Sequence, residues 1–298
     1  MLINQNTLRS LYTGFNTSFQ AGFAGVDPLY GRVATTVPST TKSNEYGWLG
    51  QMPRIREWIG DRVVNSISTH GYTLKNRKFE STIAVQADDI EDDNIGIYAP
   101  LFTEFGRSAA AFPDELIWPL LKDGFNQTCY DGQNFFDTDH PVLDADGKEI
   151  TVSNHGGGNG TPWFLIDNTR AILPIIYQLR KPFNNIVRKD DEKDDNVFDR
   201  DEYVYGIKGR CEAGFSFWQL AYGSKQTLDA GSYEAARTAM GSFKGDFGRP
   251  LGIQPKLLIV PPQLEGAANR IVKNALTGNG GTNEWAGTAE VFVCPWLA

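Results

Sequence analysis

Apolar positions along the chain change period several times, and each change predicts an element. Phe15, Phe19 and Phe23 recur at i, i+4 and i+8 in a polar opening stretch, which sets three rings on one face of a short helix. That face either packs on the chain's own core or makes residues 1–35 an arm laid on a neighbouring molecule. From 36 to 87 the pattern turns extended. Val63, Ile67, Leu74, Phe79, Ile83 and Val85 are interleaved with polar residues, a turn is expected at His70-Gly71, and Phe79 to Val85 alternates with the period of a half-buried strand. Trp48, Met52, Ile55, Trp58 and Ile59 cluster near the start of this stretch. A long hairpin with so few core residues is unstable alone and needs a partner surface.

Ile97, Leu101, Phe105, Ala109, Phe112, Leu116 and Leu120 then keep helical spacing, with Gly124 as the stop. Pro113 either kinks one long helix or opens a second. The five acids between Asp88 and Asp93 suit a helix start; a metal site is the alternative. Residues 126–162 read as irregular, with a tight turn at Asp144-Ala145-Asp146-Gly147 and a flexible loop at Gly156–Gly160. Strands are expected at Trp163–Ile166 and at Ile172–Tyr177, the latter pushed to a sheet edge by Pro174. Residues 188–202 hold eight acids and four bases and read as a solvated loop. Tyr203–Trp218 is aromatic and strand-like. Ser232 caps a helix to Met240, and Lys256–Val260 is a buried strand. Pro261-Pro262 opens a helix with apolar face Leu264, Ala268, Ile271 and Ala275, and Glu290–Val293 is the last strand. The class is α+β.

Composition narrows the partners. The chain has 298 residues, enough for about two domains or one elaborated domain. Its formal net charge is −8, which makes it a poor binder of phosphate backbones; it could enclose DNA without gripping it. Cys129, Cys211 and Cys294 are odd in number and far apart, so reduced thiols are expected and neither a disulfide framework nor a zinc motif. The opening residues lack a basic region followed by an apolar core, so no secretory leader is expected. No apolar run reaches the ~18 residues that would span a bilayer.

Tests for catalysis fail. Asp137, Asp139 and His140, with Cys129 nearby, are the one constellation that could hold a divalent metal. The adjoining Asp144, Asp146 and Gly147 match an EF-hand loop only in part. There is no Gly-x-Ser-x-Gly elbow, no His-Glu-x-x-His and no phosphate-binding Gly-Lys-Ser/Thr, and only three histidines. No catalytic residue, metal or cofactor is expected.

Several runs carry a resemblance. These are Leu101-Phe102-Thr103-Glu104-Phe105-Gly106-Arg107 through Pro113-Asp114-Glu115-Leu116, Tyr130-Asp131-Gly132-Gln133-Asn134-Phe135-Phe136 with Asp139-His140-Pro141, and Pro162-Trp163-Phe164-Leu165-Ile166-Asp167 with Pro174-Ile175-Ile176. Trp218-Gln219-Leu220-Ala221, Pro250-Leu251-Gly252-Ile253 and Leu257-Leu258-Ile259-Val260-Pro261-Pro262 follow in the same order. Together they span roughly 79–295, and the chain resembles the Mu-like phage major head subunit family, gpT.

That resemblance implies a Hong Kong 97-type capsid fold. Its parts would be an N-terminal arm (1–35), an extended loop (36–82), a peripheral domain with a spine helix (83–150), and a mainly axial domain (151–298) that partly returns to the peripheral one. It implies a virion shell of hexamers and pentamers around double-stranded DNA, bound without sequence specificity and away from membranes, assembled in the bacterial cytoplasm. A scaffold and protease, a portal and decoration proteins are the implied partners, and expansion on packaging the implied motion. With Met1 in place the scaffold is expected to be a separate protein. Lys75 and Lys78 lie on the extended loop, but no partner Asn is evident and no crosslink is expected. Candidate inter-subunit contacts are Phe15 and Phe19 on the arm and Trp48, Trp58 and Phe79 on the loop. The alternatives are an encapsulin-like compartment shell, which shares the fold, and a metal-dependent hydrolase at Asp137, Asp139 and His140.

Overall fold

The computed structural model describes residues 4–49, 71–92, 95–191 and 193–298. Trp58, the expected turn at His70 and much of the extended loop lie outside the described residues. In chain order the helices are α1 (Gln5–Ala24), α2 (Ala87–Glu91), α3 (Tyr98–Lys122), α4 (Asp195–Arg200), α5 (Ala230–Gly241) and α6 (Glu265–Val272). The strands are β1 (Ala34–Pro38), β2 (Ser43–Glu45), β3 (Thr73–Lys75), β4 (Arg77–Gln86), β5 (His140–Leu143), β6 (Glu149–Val152), β7 (His155–Gly158) and β8 (Trp163–Ile166). They continue as β9 (Ile175–Lys181), β10 (Val187–Lys189), β11 (Glu202–Phe215), β12 (Ala221–Lys225), β13 (Lys244–Gly245), β14 (Arg249–Pro250), β15 (Leu257–Val260) and β16 (Glu290–Val293).

Two five-stranded sheets organise these elements. The first is built on β11, whose 14 residues are long enough to serve three partners. One edge pairs antiparallel with β4, from Glu202↔Gln86 to Cys211↔Arg77. The other edge takes β10 and then β9, and β1 closes the sheet beside β9 in parallel register. Since β9 has a neighbour on each side, it is an interior strand. Pro174 is tolerated because it stands just before the first ladder residue. The second sheet runs β16-β15-β8-β12-β7. All four residues of β8 and of β15 are buried, as unbroken apolar runs require when both faces are covered. The expected flexible loop at Gly156–Gly160 supplies β7, paired with β12.

Helix α3 runs unbroken through Pro113 and Pro119. Its period is as expected, but its buried face is rotated. Phe102, Phe105, Ala109, Pro113, Ile117 and Leu121 face inward, while Leu101 is 45% exposed. The rotation follows from α1, which crosses it with backbones in contact. A β-carbon on Gly22 would stand 1.9 Å from the Thr103 carbonyl oxygen, and one on Gly106 would stand 2.0 Å from that of Phe19. Only glycine at both points lets the helices meet so closely. Asn4 caps α1, its Oδ1 accepting the N–H groups of Asn6 and Thr7 at 3.0 Å each.

Elsewhere the details depart modestly from expectation. Helix α5 starts earlier than Ser232 because Asp229 is its cap; Ser232 is the third helical residue and closes a reciprocal capping box with it. Ala275 falls beyond the end of α6, which buries Ala268, Ile271 and Val272. The acidic stretch 188–202 forms β10 and α4 as well as loop.

Candidate subunit interface

Helix α1 is tied down on two sides. Phe15 stacks on Phe102 at 4.2 Å between centroids and meets Tyr205 edge-on at 5.4 Å, and Phe19 lies edge-on to Phe105 at 5.5 Å. Both rings are buried inside this chain, at 4% and 0% exposure. In this conformation they fill the chain's own core. On the helix's other flank, the Tyr12 hydroxyl donates to the Ile186 carbonyl at 3.1 Å and the Gln20 amide to that of Asn184 at 2.8 Å. The Arg188 guanidinium lies 4.8 Å over the Tyr12 ring.

The base of the extended loop is anchored in the same manner. Strands β2 and β3 pair across it. Tyr46 donates its hydroxyl to the buried Gln178 at 2.8 Å, and burial pushes its pKa up to about 12. Tyr72 accepts the Phe215 N–H at 2.8 Å, which fastens the returning strand to the end of β11. Trp48 is half-buried, 5.9 Å from Tyr46 and 5.8 Å from Phe217. Phe79 is half-buried against Phe112 at 4.8 Å, under the Arg77 guanidinium at 5.2 Å. Both therefore present one face inward and leave part of the ring open.

Large apolar side chains that stay open among the described residues are spread along the chain, with Ile150, Phe247, Leu276 and Trp296 among them. Ile97 and Leu101 lie at the start of α3, Val187 on β10, and Phe198 on α4 with 86% of its surface free. Phe198 stands among Asp194, Asp195, Asp199 and Asp201. It was legible only as one aromatic in a run of acids, which the charge pattern masks.

The metal-hydrolase constellation does not assemble. Asp139 is exposed, and Asp137 turns to the N–H groups of Asn134 (3.1 Å) and Thr138 (2.7 Å). His140 is fully buried, flat on Trp218 at 4.0 Å, and directs Nδ1 to Asp131 at 2.7 Å. Cys129 donates to the same carboxylate at 3.0 Å. Burial alone would raise the Asp131 pKa, but the hydrogen bonds from His140 and Cys129 hold it below the usual carboxylate value. Spacing from His140 does not single out Asp131, and the sequence reading missed it.

The architecture now stands beside known proteins. The chain is 41% identical to the major capsid protein of Escherichia phage Mu, over all of both chains. It superposes on the procapsid subunit of bacteriophage JBD30 with TM-score 0.86 and 45% identity, covering 99% of this chain and 100% of that one. It superposes on the subunit of the JBD30 capsid decorated with minor capsid protein trimers with TM-score 0.77 and 37% identity, covering 94% of each. The family profile described as "Mu-like prophage major head subunit gpT" matches residues 8–297. With that match running through both sheets, α1 and α3, the chain belongs to the Mu-like major head subunit gpT family of tailed-phage capsid proteins.

Proposed function

We propose that this major capsid protein closes an icosahedral shell from hexamers and pentamers of itself, with double-stranded DNA packaged inside. The observation that carries the reading is the full-length likeness to a procapsid subunit, extended segments included. Closed shells arise when one chain meets its copies through a small set of repeated contacts, each weak enough to correct and strong in number. The half-open faces of Trp48 and Phe79 and the free Phe198 suit such contacts. Phe15 and Phe19 would serve only if the arm left its own body. Trp58 completes the candidate set. The division into arm (1–35), extended loop (36–82), peripheral (83–150) and axial (151–298) parts belongs to this proposal, as do the scaffold and protease, the portal, decoration proteins and assembly in the host cytoplasm.

The DNA would be contained and not gripped, given the net charge of −8. The relatives matched are structural proteins of the head, so the chain builds and does not catalyse. The compartment-shell alternative is not favoured, because the family match is to the phage head subunits. Electron microscopy of the full-length protein, expressed alone and with a scaffold, tests the reading. Closed shells are expected. Monomers under both conditions would refute it.

A further inference from the structure

His140 is fully buried and held at both ring nitrogens by groups of its own chain. Asn154 is fully buried. Its amide nitrogen donates to the carbonyls of Phe135 (2.8 Å), Trp218 (3.3 Å) and Ala221 (3.2 Å), while its Oδ1 accepts the Asp137 N–H at 2.9 Å. Three acceptors on one side and a donor on the other fix the orientation of this amide. His140 Nε2 lies 3.2 Å from that same Oδ1, a contact that the Nε2–H tautomer satisfies. The opposite ring nitrogen, Nδ1, stands 2.7 Å from Asp131 Oδ2. A ring lone pair and a carboxylate oxygen do not face each other at that distance unless something positive lies between them. It is either a proton or a metal ion.

We propose that Cys129, Asp131 and His140 form a binding site for a single thiophilic divalent cation of the zinc class. The three donor atoms, a thiol sulfur, a carboxylate oxygen and an imidazole nitrogen, lie within 4.8 Å of one another. Thiolate with imidazole is the donor set that selects zinc over harder ions, and three protein ligands leave a fourth position for water. Neighbouring ligand atoms around tetrahedral zinc are roughly 3.5 Å apart. The present contacts of 3.0 and 2.7 Å are those of the proton-filled form, which the ion opens by about half an ångström or slightly more.

Two features beyond the ligands support the assignment. The Nε2–H bond to Asn154 is the kind of outer contact that fixes the tautomer and aim of a metal-bound histidine, and the Trp218 stack fixes the ring plane. The exchange also balances. One divalent ion enters, the thiol proton of Cys129 and the proton between Nδ1 and Oδ2 leave to solvent, and the net charge of the buried site is unchanged. That matters where an uncompensated charge is costly. Burial holds the free Cys129 thiol protonated, so its thiolate forms only with the metal bound. The ion would join the turn after α3 to the first residue of β5. Because the ligands are buried, it would enter as the region folds.

The test uses full-length protein stripped with a chelator and refolded with Co²⁺ as the probe. One Co²⁺ per chain is expected, with a thiolate-to-cobalt charge-transfer band in the near ultraviolet and the visible bands of a tetrahedral ion. Cys129→Ser, which keeps a donor to Asp131, should lose the charge-transfer band and most of the bound cobalt. Zn²⁺ should displace the cobalt and raise the melting temperature of the natural protein and not of the variant. Cobalt uptake equal in both proteins, or none in either, overturns the proposal. If the variant does not fold, X-ray absorption on the zinc-loaded natural protein decides it: one sulfur in the ligand shell is expected, and a shell of nitrogen and oxygen alone refutes the site.

Discussion

At Gly106 a single added methyl group would meet a backbone carbonyl at 2.0 Å, and no side-chain rotation can relieve that. Gly106→Ala should therefore push α1 off the spine helix and cost about 3 kcal/mol, near the top of the usual range for overpacking. Urea denaturation of the unassembled chain measures it. Asp114 makes a different prediction. Its carboxylate is buried beside the spine helix, where it accepts the Leu29 N–H at 3.0 Å and the Trp118 indole N–H at 2.9 Å. Burial raises its pKa above the ordinary carboxylate value, and the N–H bonds from Leu29, Trp118 and Tyr30 offset this only in part. Between the ordinary value, about 3.9, and the raised one, the folded chain binds more protons at this site than the unfolded chain. Stability from this residue thus falls as pH rises through that window and is level above it. Compared by urea melts at pH 4 and pH 7, the natural protein should lose more stability relative to Asp114→Asn at the higher pH. Neither role was legible in the sequence: a glycine at helix spacing carries no apolar signal, and a buried aspartate looks like any helix-surface acid.

At the scale of elements, α1 and α4 are opposites. Helix α1 spends its aromatic face on Phe102, Phe105 and Tyr205, so removing residues 4–24 should bare those rings and raise the binding of an environment-sensitive apolar dye. Helix α4 spends nothing on Phe198. Phe198→Ser should leave the unassembled chain's stability within about 0.5 kcal/mol while lowering the yield of shells counted by electron microscopy. The helices and strands themselves were mostly legible, because α3, β8, β15 and the β5–β6 turn each carry a clean period or a defined turn residue. The facing of α3 was not, since hydrophobicity alone favours Leu101 and the Gly106 contact turns that side outward. Ser232 was misread as a cap because both it and Asp229 take part in the same box.

For the whole molecule, the mixed α+β class was readable and the pairing of strands was not. Strand β1 lies beside β9 in parallel although the two are far apart in sequence, and β15 lies beside β16 across the intervening α6. Local patterning cannot specify such partners, because each pairing joins segments that carry no mark of one another. Shape also sets how copies approach one another. A formal charge of −8 on every chain opposes association at long range, and salt screens exposed charges over about 10 Å at 0.1 M. Assembly from purified subunits, followed by light scattering, should begin at lower protein concentration as moderate salt is added.

The crossing at Gly22 and Gly106 has one more consequence. Two rods touching at matched notches can part, but neither can creep lengthwise past the other, because a step of one helical turn would drive a β-carbon into a carbonyl. Any departure of the arm from the spine must then be a clean lift-off, with docked and released as its only resting positions.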